Sequence, residues 1–342
     1  MKRIAMVGLL LAGCASSPSL QELEKHFGAI RQLTVDGTHA EAYWSFDGTK
    51  LILQAVREGD KADQVYVLDI ASGKLTRVSN GEGKCTCSYF LPDGRIVYSS
   101  TKASGAEPPP PPDRSKGYRW ALYREFEIFL YDPKTGKEER LTTSDGYDAE
   151  TTVSPDGRRL VFMSQRDDAF NIYTMKTDGS DLRKLDQPRG YTGGPFYSPD
   201  GQWLVYRSFY PKDDAQTKEL DRMLAERALI PFEGMTIEIY VSRPDGSERR
   251  AITETKKINF APSFFQDGKR VIFTSNKAAT MRGGYNLFAV GTDGKNLEQV
   301  SFHKGFDGFP VFSPDGKHAV FISDRNARRP HELNVFLAEW KP

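Results

Sequence analysis

The sequence predicts an all-β fold, a six-bladed β-propeller whose blades are four-stranded antiparallel sheets. Six Asp-Gly pairs of the 342-residue chain stand in the same local pattern at intervals of 44 to 67 residues, and three of these copies read Ser-Pro-Asp-Gly. Repeats of roughly 40–50 residues that each hold four short strands are typical of propellers. The six copies begin at Asp47, Asp93, Asp156, Asp200, Asp267 and Asp315.

Each repeat contains the signals of two hairpins. In the Ser-Pro-Asp-Gly copies, proline sets φ for the second turn position and glycine supplies a positive φ at the end, so this turn joins the first two strands. A polar, apolar, aromatic triplet marks the third strand. The triplet occurs at 64–66, 127–129, 171–173, 238–240, 286–288 and 334–336, which predicts six blades.

The last repeat ends at Trp340 without a fourth strand. Residues 31–34 read Arg-Gln-Leu-Thr and match the fourth-strand sequence Glu-Arg-Leu-Thr at 139–142. We therefore expect the N-terminal strand to pair with the last blade, which closes the ring and removes exposed sheet edges. The propeller is predicted over 30–342.

The first fourteen residues have the pattern of a bacterial lipoprotein signal peptide, a processing segment outside the fold. Lys2 and Arg3 precede an apolar run at 4–12, and Leu-Ala-Gly-Cys ends at Cys14. We expect lipidation of Cys14, which holds a protein on a membrane surface; the alternative is an ordinary secretory signal with a chance cysteine. Ala15 follows the cysteine, and resemblance to the lipoprotein sorting rule then implies the outer membrane, facing the periplasm.

The repeat resembles the TolB-like, WD-like six-bladed propellers of bacteria. Besides the Ser-Pro-Asp-Gly hairpins, Ser-Gln-Arg-Asp at 164–167 and Ser-Asp-Arg-Asn at 323–326 carry this resemblance, which covers 30–340. It implies a propeller that binds partner proteins. TolB has a further α/β domain before its propeller, whereas here we expect only a tether over 15–29.

Two intervals exceed the others by about twenty residues, and both excesses fall between a second and a third strand. The insertion at 101–125 holds five consecutive prolines, followed by Arg119, Trp120 and Tyr123. These residue types are common in binding patches, so they are candidate partner-binding residues. The alternative is that they pack on the blades and pin the loop.

The insertion at 209–235 predicts a helix over 213–229. Asp213 or Asp214 can cap its start, and Pro231 stops it. Apolar residues at helical spacing form one stripe, which predicts docking onto the propeller rim or a lid over the channel.

A polar residue stands eight positions before each repeat's aspartate, where the innermost strand is expected to begin at the channel mouth. This column is a candidate ligand or partner site, and four of its members (His39, Cys85, Asp148 and Asp307) are alternative metal ligands. The structural alternative is that these side chains cap connecting loops. The column consists of His39, Cys85, Asp148, Thr192, Asn259 and Asp307.

Cys85 and Cys87 alternate on a predicted strand, so both are expected on one side of it, as two thiols or as a strained bond. The sequence lacks a Gly-x-Ser-x-Gly elbow, a phosphate-binding glycine loop and His-Glu-x-x-His, and we expect no cofactor. A formal charge of +1 disfavours nucleic-acid binding. The prediction is a non-catalytic, lipid-anchored scaffold that binds an envelope protein or cell-wall component. The alternative is a carbohydrate- or peptide-processing enzyme, or a ligand sensor, that uses the channel mouth.

Overall fold

A computed structural model describes residues 19–113, 115 and 119–342, and it confirms the predicted six-bladed propeller. The chain begins with a short helix, α1 (Leu20–Leu23), and strand β1 (Phe27–Gln32). The predicted signal peptide, Cys14 and the first residues of the predicted tether lie outside the described residues.

The first five blades are built in chain order from the innermost strand outward. Blade one contains β2 (Thr38–Trp44), β3 (Lys50–Val56), β4 (Gln64–Asp69) and β5 (Leu75–Arg77). Blade two contains β6 (Cys85–Phe90), β7 (Ile96–Ser100), β9 (Glu127–Tyr131) and β10 (Glu138–Arg140), with a 3-10 turn (Lys102–Ser104) and strand β8 (Trp120–Ala121) in its insertion. Blade three contains β11 (Asp148–Val153), β12 (Arg159–Ser164), β13 (Asn171–Lys176) and β14 (Arg183–Lys184).

The remaining blades follow the same plan. Blade four contains β15 (Tyr191–Tyr197), β16 (Leu204–Phe209), β18 (Glu238–Ser242) and β19 (Arg250–Ala251), with helix α2 (Asp214–Glu226) and strand β17 (Ala228–Leu229) in its insertion. Blade five contains β20 (Asn259–Phe264), β21 (Arg270–Ser275), β22 (Asn286–Gly291) and β23 (Glu298–Gln299). Blade six contains β24 (Asp307–Phe312), β25 (His318–Ser323), β26 (Asn334–Trp340) and, as its outermost strand, β1.

The two ends of the propeller meet in blade six, as predicted. Strand β1 runs antiparallel to β26, with Gln32 opposite Phe336. Beyond the strand, the N–H of Leu33 donates to the carbonyl of Val335 at 2.8 Å. The ring is therefore closed by backbone hydrogen bonds between residues some 300 positions apart. With β1 in place, blade six has four strands like the other blades.

The N-terminal lead differs from the predicted tether. We call residues 19–26 the N-terminal lead; residues 19–23 are exposed, whereas Glu24, within the predicted tether, is only 2% exposed and bonds to Phe302 and Arg325. The ring of His26 stacks on Trp340 with centroids 5.0 Å apart. Glu24 and His26 therefore pack on the propeller instead of belonging to a free tether.

The aromatic residue of the third-strand triplet has a clear packing role. In five blades it lies directly opposite an aromatic residue of the second strand, with ring centroids 5.8 to 6.2 Å apart. Such cross-strand pairs stabilise a sheet beyond the area they bury. The pairs are Tyr98–Phe129, Phe162–Tyr173, Tyr206–Tyr240, Phe273–Phe288 and Phe321–Phe336.

The described residues of the two insertions fold together into one unit, which we call the cap (101–113, 115, 119–125 and 209–235). Strand β8 pairs with β17, so that Trp120 lies opposite Leu229. Helix α2 is capped by Asp213 as predicted, but it ends at Glu226 rather than at 229. The helix stops there because Arg227 takes a left-handed φ of 47° and the next two residues form β17.

The apolar stripe of α2 docks onto the propeller. Leu220 and Met223 are fully buried among side chains of the first insertion and of blades three and four. Tyr147 and Tyr191, which precede or open the innermost strands of those blades, are 2% and 1% exposed. The cap therefore covers the blade-three and blade-four side of one channel mouth. Within the described part of the chain, neither helix has the length and apolarity needed to cross a membrane.

Candidate functional site in the central channel

Every innermost strand contains a β-bulge at the same place, six residues before the aspartate of its turn. The residue there has a left-handed φ between 46° and 61°, and the strand register shifts around it. Bulges re-aim side chains, and a left-handed φ outside glycine costs conformational energy. We call these six positions the bulge ring: Glu41, Cys87, Glu150, Gly194, Ala261 and Phe309.

One half of the bulge ring carries an ion pair. Arg207, from the second strand of blade four, contacts Glu150 of blade three with Nη2 to Oε1 at 2.7 Å. The same Nη2 donates to the hydroxyl of Tyr191 at 2.8 Å, and the N–H of Gly194 donates to Glu150 Oε2 at 2.5 Å. The positive charge of Arg207 is thus neutralised by the Glu150 carboxylate, and both side chains are largely buried.

Glu41 is the second carboxyl of the bulge ring and is 5% exposed. The hydroxyl of Tyr43 donates to its Oε2 at 3.4 Å, and the Cys87 thiol also hydrogen-bonds to it. None of the ion pairs in the described part of the chain includes Glu41. Burial raises the pKa of this carboxyl to about 7, against the opposing effect of the thiol hydrogen bond. Glu41 therefore gains or loses its proton near neutral pH.

The other half of the mouth is aromatic. Phe260, Tyr285, Phe306 and Phe309 of blades five and six pack with ring centroids 5.2 to 6.5 Å apart. We call these four residues the aromatic wall; all four are partly exposed. Blade six is the neighbour of blade one in the closed ring, so Phe309 and Glu41 occupy adjacent positions of the bulge ring.

A second layer of aromatic residues closes the channel beneath the bulge ring. Tyr43, Tyr89 and Phe196, two residues further along their strands, meet with ring centroids 5.4 to 6.2 Å apart. Beyond them, on the Asp-Gly face, lies a cavity of about 250 Å³ whose lining includes Trp44 and Phe46. The three rings therefore separate Glu41, Glu150 and Arg207 from the cavity on the Asp-Gly face.

The structure does not bring the predicted polar column together as one site. All six members are fully buried, and each bonds to groups of its own or an adjacent blade. Asp148 accepts from Ser144 Oγ at 2.6 Å and from Arg166 Nη2 at 2.8 Å. In the described residues no group of three His, Cys, Asp or Glu side chains is arranged to hold a metal ion. The metal alternative through His39, Cys85, Asp148 and Asp307 thus has no geometric support.

The other column members also serve the connections between blades. His39 Nδ1 lies 3.0 Å from the carbonyl of Leu333, and Asn259 Nδ2 donates to the carbonyl of Ile237 at 2.8 Å. Thr192 Oγ1 is 2.7 Å from Ser208 Oγ. These contacts fit the loop-capping alternative.

Asp307 belongs to a buried ion triad. Arg325 bonds to both carboxylate oxygens of Asp307, at 3.1 and 2.6 Å, and to both of Glu24, at 2.9 and 2.6 Å. The three residues are 0%, 8% and 2% exposed for Asp307, Arg325 and Glu24. The triad ties the N-terminal lead to the innermost strand of blade six.

The two cysteines do not share surroundings, contrary to the expectation from strand alternation. Cys85 Sγ lies 3.6 Å from Ser100 Oγ, whereas Cys87 sits at the bulge and contacts Glu41 and Thr86. The bulge rotates the strand between them. Both are free and buried, and burial raises the pKa of the Cys85 thiol to about 11 and that of Cys87 well above its ordinary value.

The predicted binding residues of the first insertion have different roles in the cap. Arg119 forms an ion pair with Glu226 of α2, and the Tyr123 hydroxyl donates to the Pro110 carbonyl at 2.9 Å. Both contacts hold the insertions in place. Trp120 is 38% exposed, and a cavity of about 320 Å³ lies between the two insertions.

Sequence reasoning missed the bulge ring because it assumed regular strands. The signal was present two residues after the polar column, where Glu41 and Glu150 occupy the same repeat position. Arg207 comes from a second strand, and only the packed blades place it beside Glu150.

Comparisons with known proteins agree with this architecture. A family model described as the TolB beta propeller domain matches residues 224–330. The chain is 29% identical over 184 residues to a TolB homologue of Chlorobium luteolum, covering 45% of this chain and 42% of that protein. Curated relatives are matched over a quarter to about half of their own lengths.

Two solved structures show the same fold. TolB from Acinetobacter baumannii superposes with a TM-score of 0.55 at 16% identity, covering 89% of this chain and 64% of that one. An oligogalacturonate lyase from Vibrio parahaemolyticus superposes with a TM-score of 0.53 at 14% identity, covering 91% and 93%. At these identities the likeness concerns the fold. The repeats and the closed ring establish a six-bladed β-propeller, and these matches show that it is similar to the propellers of TolB proteins.

Proposed function

We propose that this propeller is a non-catalytic binding module of the bacterial envelope, anchored by lipid at Cys14, which holds a protein or cell-wall partner on its cap face. The single observation that carries the proposal is the cap. Two insertions from different blades pair through β8 and β17 and cover part of one channel mouth. A regular propeller is complete without such an addition, and long loops on a rigid scaffold commonly carry function.

The surface of the cap has the chemistry of a contact site. Trp120 is exposed on β8, beside the cavity between the insertions. Exposed tryptophan and partly desolvated arginine are the residue types that contribute most to interfaces. Because Arg119 already pairs with Glu226, Trp120 is the residue most available to a partner.

Crosslinking in native envelopes, followed by affinity capture of the propeller, tests the proposal. One variant replaces both insertions by short Gly-Ser linkers, since each supports the other. A second variant, Trp120→Ala, is compared with Leu297→Ala, which removes a similarly exposed apolar side chain (39%) on blade five. We expect partners to be lost without the cap and weakened by Trp120→Ala only. Retention of every partner without the cap contradicts the proposal.

The anchor has its own experiment. Cells supplied with an alkyne-tagged palmitate should label the wild-type protein, and Cys14→Ser should abolish the label and release the protein from membranes. A labelled Cys14→Ser protein would contradict the assignment of the lipidation site.

A second candidate function is the processing of a carbohydrate or related ligand at the channel mouth. Glu41 favours it, because a carboxyl with a pKa of about 7 suits general acid–base catalysis near neutral pH. Structures of the same fold include the oligogalacturonate lyase and a gluconolactonase. Turnover of oligogalacturonate or of a sugar lactone that Glu41→Gln abolishes would support this function over the binding module.

A further inference from the structure

We propose that the channel mouth binds an organic cation, the ammonium or guanidinium group of a basic ligand, between the Glu41 carboxyl and the aromatic wall. This inference rests on the proposed binding function and identifies the chemical group that a partner places in the channel.

Without such a group, the negative charges of the bulge ring outnumber the positive charges beside it. The polar half contains two carboxyls, Glu41 and Glu150, and one cation, Arg207, which is bonded to Glu150 and Tyr191. Once Glu41 ionises, the cluster carries one unbalanced negative charge in a largely buried place. A buried charge without a partner is costly, and an opposite charge placed against it recovers much of that cost.

The aromatic wall supplies the second half of the site. Aromatic faces attract ammonium and guanidinium groups, and this attraction grows when the group is shielded from water. Phe309 occupies the bulge ring itself, in the blade next to Glu41. Ala261, the ring position of blade five, has a small side chain and is partly exposed, so it adds no bulky group beside Phe309 at this level of the channel.

The cap leaves this side of the mouth open. It buries Tyr147 and Tyr191 over blades three and four, whereas the four residues of the aromatic wall remain partly exposed. The partly exposed aromatic wall is therefore the side from which a ligand would approach Glu41, which is itself 5% exposed, with the remainder of the ligand against the cap. An anionic ligand fits poorly, because it would meet two carboxyls and an arginine that is already paired.

The first experiment measures binding of Nα-acetyl-arginine amide by isothermal titration calorimetry at pH 8. Nα-acetyl-citrulline amide serves as the neutral isostere. We expect the arginine probe to bind the wild-type protein at least tenfold more tightly. Glu41→Gln should reduce that ratio to near one, and Phe309→Leu should lower it severalfold. Glu139→Gln, on the exposed outer strand of blade two, should leave it unchanged.

A second arm uses a decapeptide with one central arginine and its citrulline counterpart. Discrimination by the peptide pair alone supports a polypeptide side chain as the source of the cation, and discrimination by both pairs supports a small ligand as well. Equal binding of arginine and citrulline in both pairs, or a ratio that Glu41→Gln leaves intact, overturns the inference. Melting curves establish that each variant is folded.

The pH dependence gives an independent readout. The charged and titratable groups around Glu41 are Glu150, Arg207, Cys87, Tyr43 and Asp63. Binding of a cation requires ionised Glu41, so affinity should rise between pH 6 and pH 8 in the wild type and stay flat in Glu41→Gln. If envelope partners are lost without the cap but unaffected by Glu41→Gln, the binding function stands and the cation site falls.

Discussion

Removing the side chain of Arg325 should destabilise the closed ring more than removing any single surface charge does. Its guanidinium bridges Glu24 of the N-terminal lead and Asp307 of the innermost strand of blade six, with four contacts between 2.6 and 3.1 Å. Arg325→Met keeps most of the side-chain volume but leaves two buried carboxyls without a cation. Breaking a buried pair in this way costs about 3–5 kcal/mol.

The matched control is Arg183→Met. Arg183 contacts Asp181 at 2.8 Å, but its side chain is 68% exposed, and exposed pairs contribute only about 0–1 kcal/mol. Urea unfolding followed by tryptophan fluorescence is suited to the comparison, since Trp340 lies against His26 of the same N-terminal lead.

A rescue variant separates lost charge balance from lost packing. Glu24→Gln, Asp307→Asn and Arg325→Met combined remove all three charges and should recover most of the stability lost in Arg325→Met. If the free energies of unfolding of Arg325→Met and Arg183→Met agree within about 0.5 kcal/mol, the triad does not hold the ring closed, and this reasoning is refuted.

Three further predictions concern the channel and the turns. The pKa of Glu41 in the folded protein is about 7, above its ordinary 4.5. The folded state therefore favours the protonated carboxyl, and the stability of the fold is highest below about pH 4.5 and falls as the pH rises to 7. Glu41→Gln should therefore flatten the stability of the protein between pH 5 and pH 8 and raise it at pH 8 by up to about 3 kcal/mol; a variant as pH-dependent as the wild type contradicts this. In a Cys14→Ser protein, whose remaining cysteines are Cys85 and Cys87, both thiols should resist a thiol-specific chromogenic reagent until the protein unfolds, because both are buried with raised pKa values; rapid labelling of that native protein would show that one is accessible. Gly157→Ala should cost more than Gly73→Ala in thermal unfolding: both have φ near 70°, but only at Gly157 would a Cβ approach a proline ring within 2.7 Å, and equal costs would mean that the turn shifts freely.

Much of this fold was readable from the sequence because propeller repeats are local. The turn at Asp315, for example, is specified by the residues on either side of it, which hydrogen-bond to its carboxylate at 2.6 and 3.1 Å. The same holds for the triplet ending at Phe336, whose partner Phe321 lies on the neighbouring strand. Closure by residues 31–34 followed from matching a fourth-strand sequence.

The candidate site was not readable in the same way. The bulges at Glu41 and Cys87 break strand alternation, so counting residues assigned Cys87 to the same side as Cys85. Arg207 reaches Glu150 from another blade, and no spacing along the chain records that approach.

By itself, the sequence determined the number of blades, their strand order and the place where the ring closes, since turns and alternating strands depend on near neighbours. Only the tertiary structure decided that two distant insertions form one cap, that Glu24 and His26 before β1 are buried, and that the bulge ring carries the buried Glu41 without an ion pair in the described part of the chain. These features arise where blades meet, and the balance of buried charge and packing there depends on residues far apart in the chain.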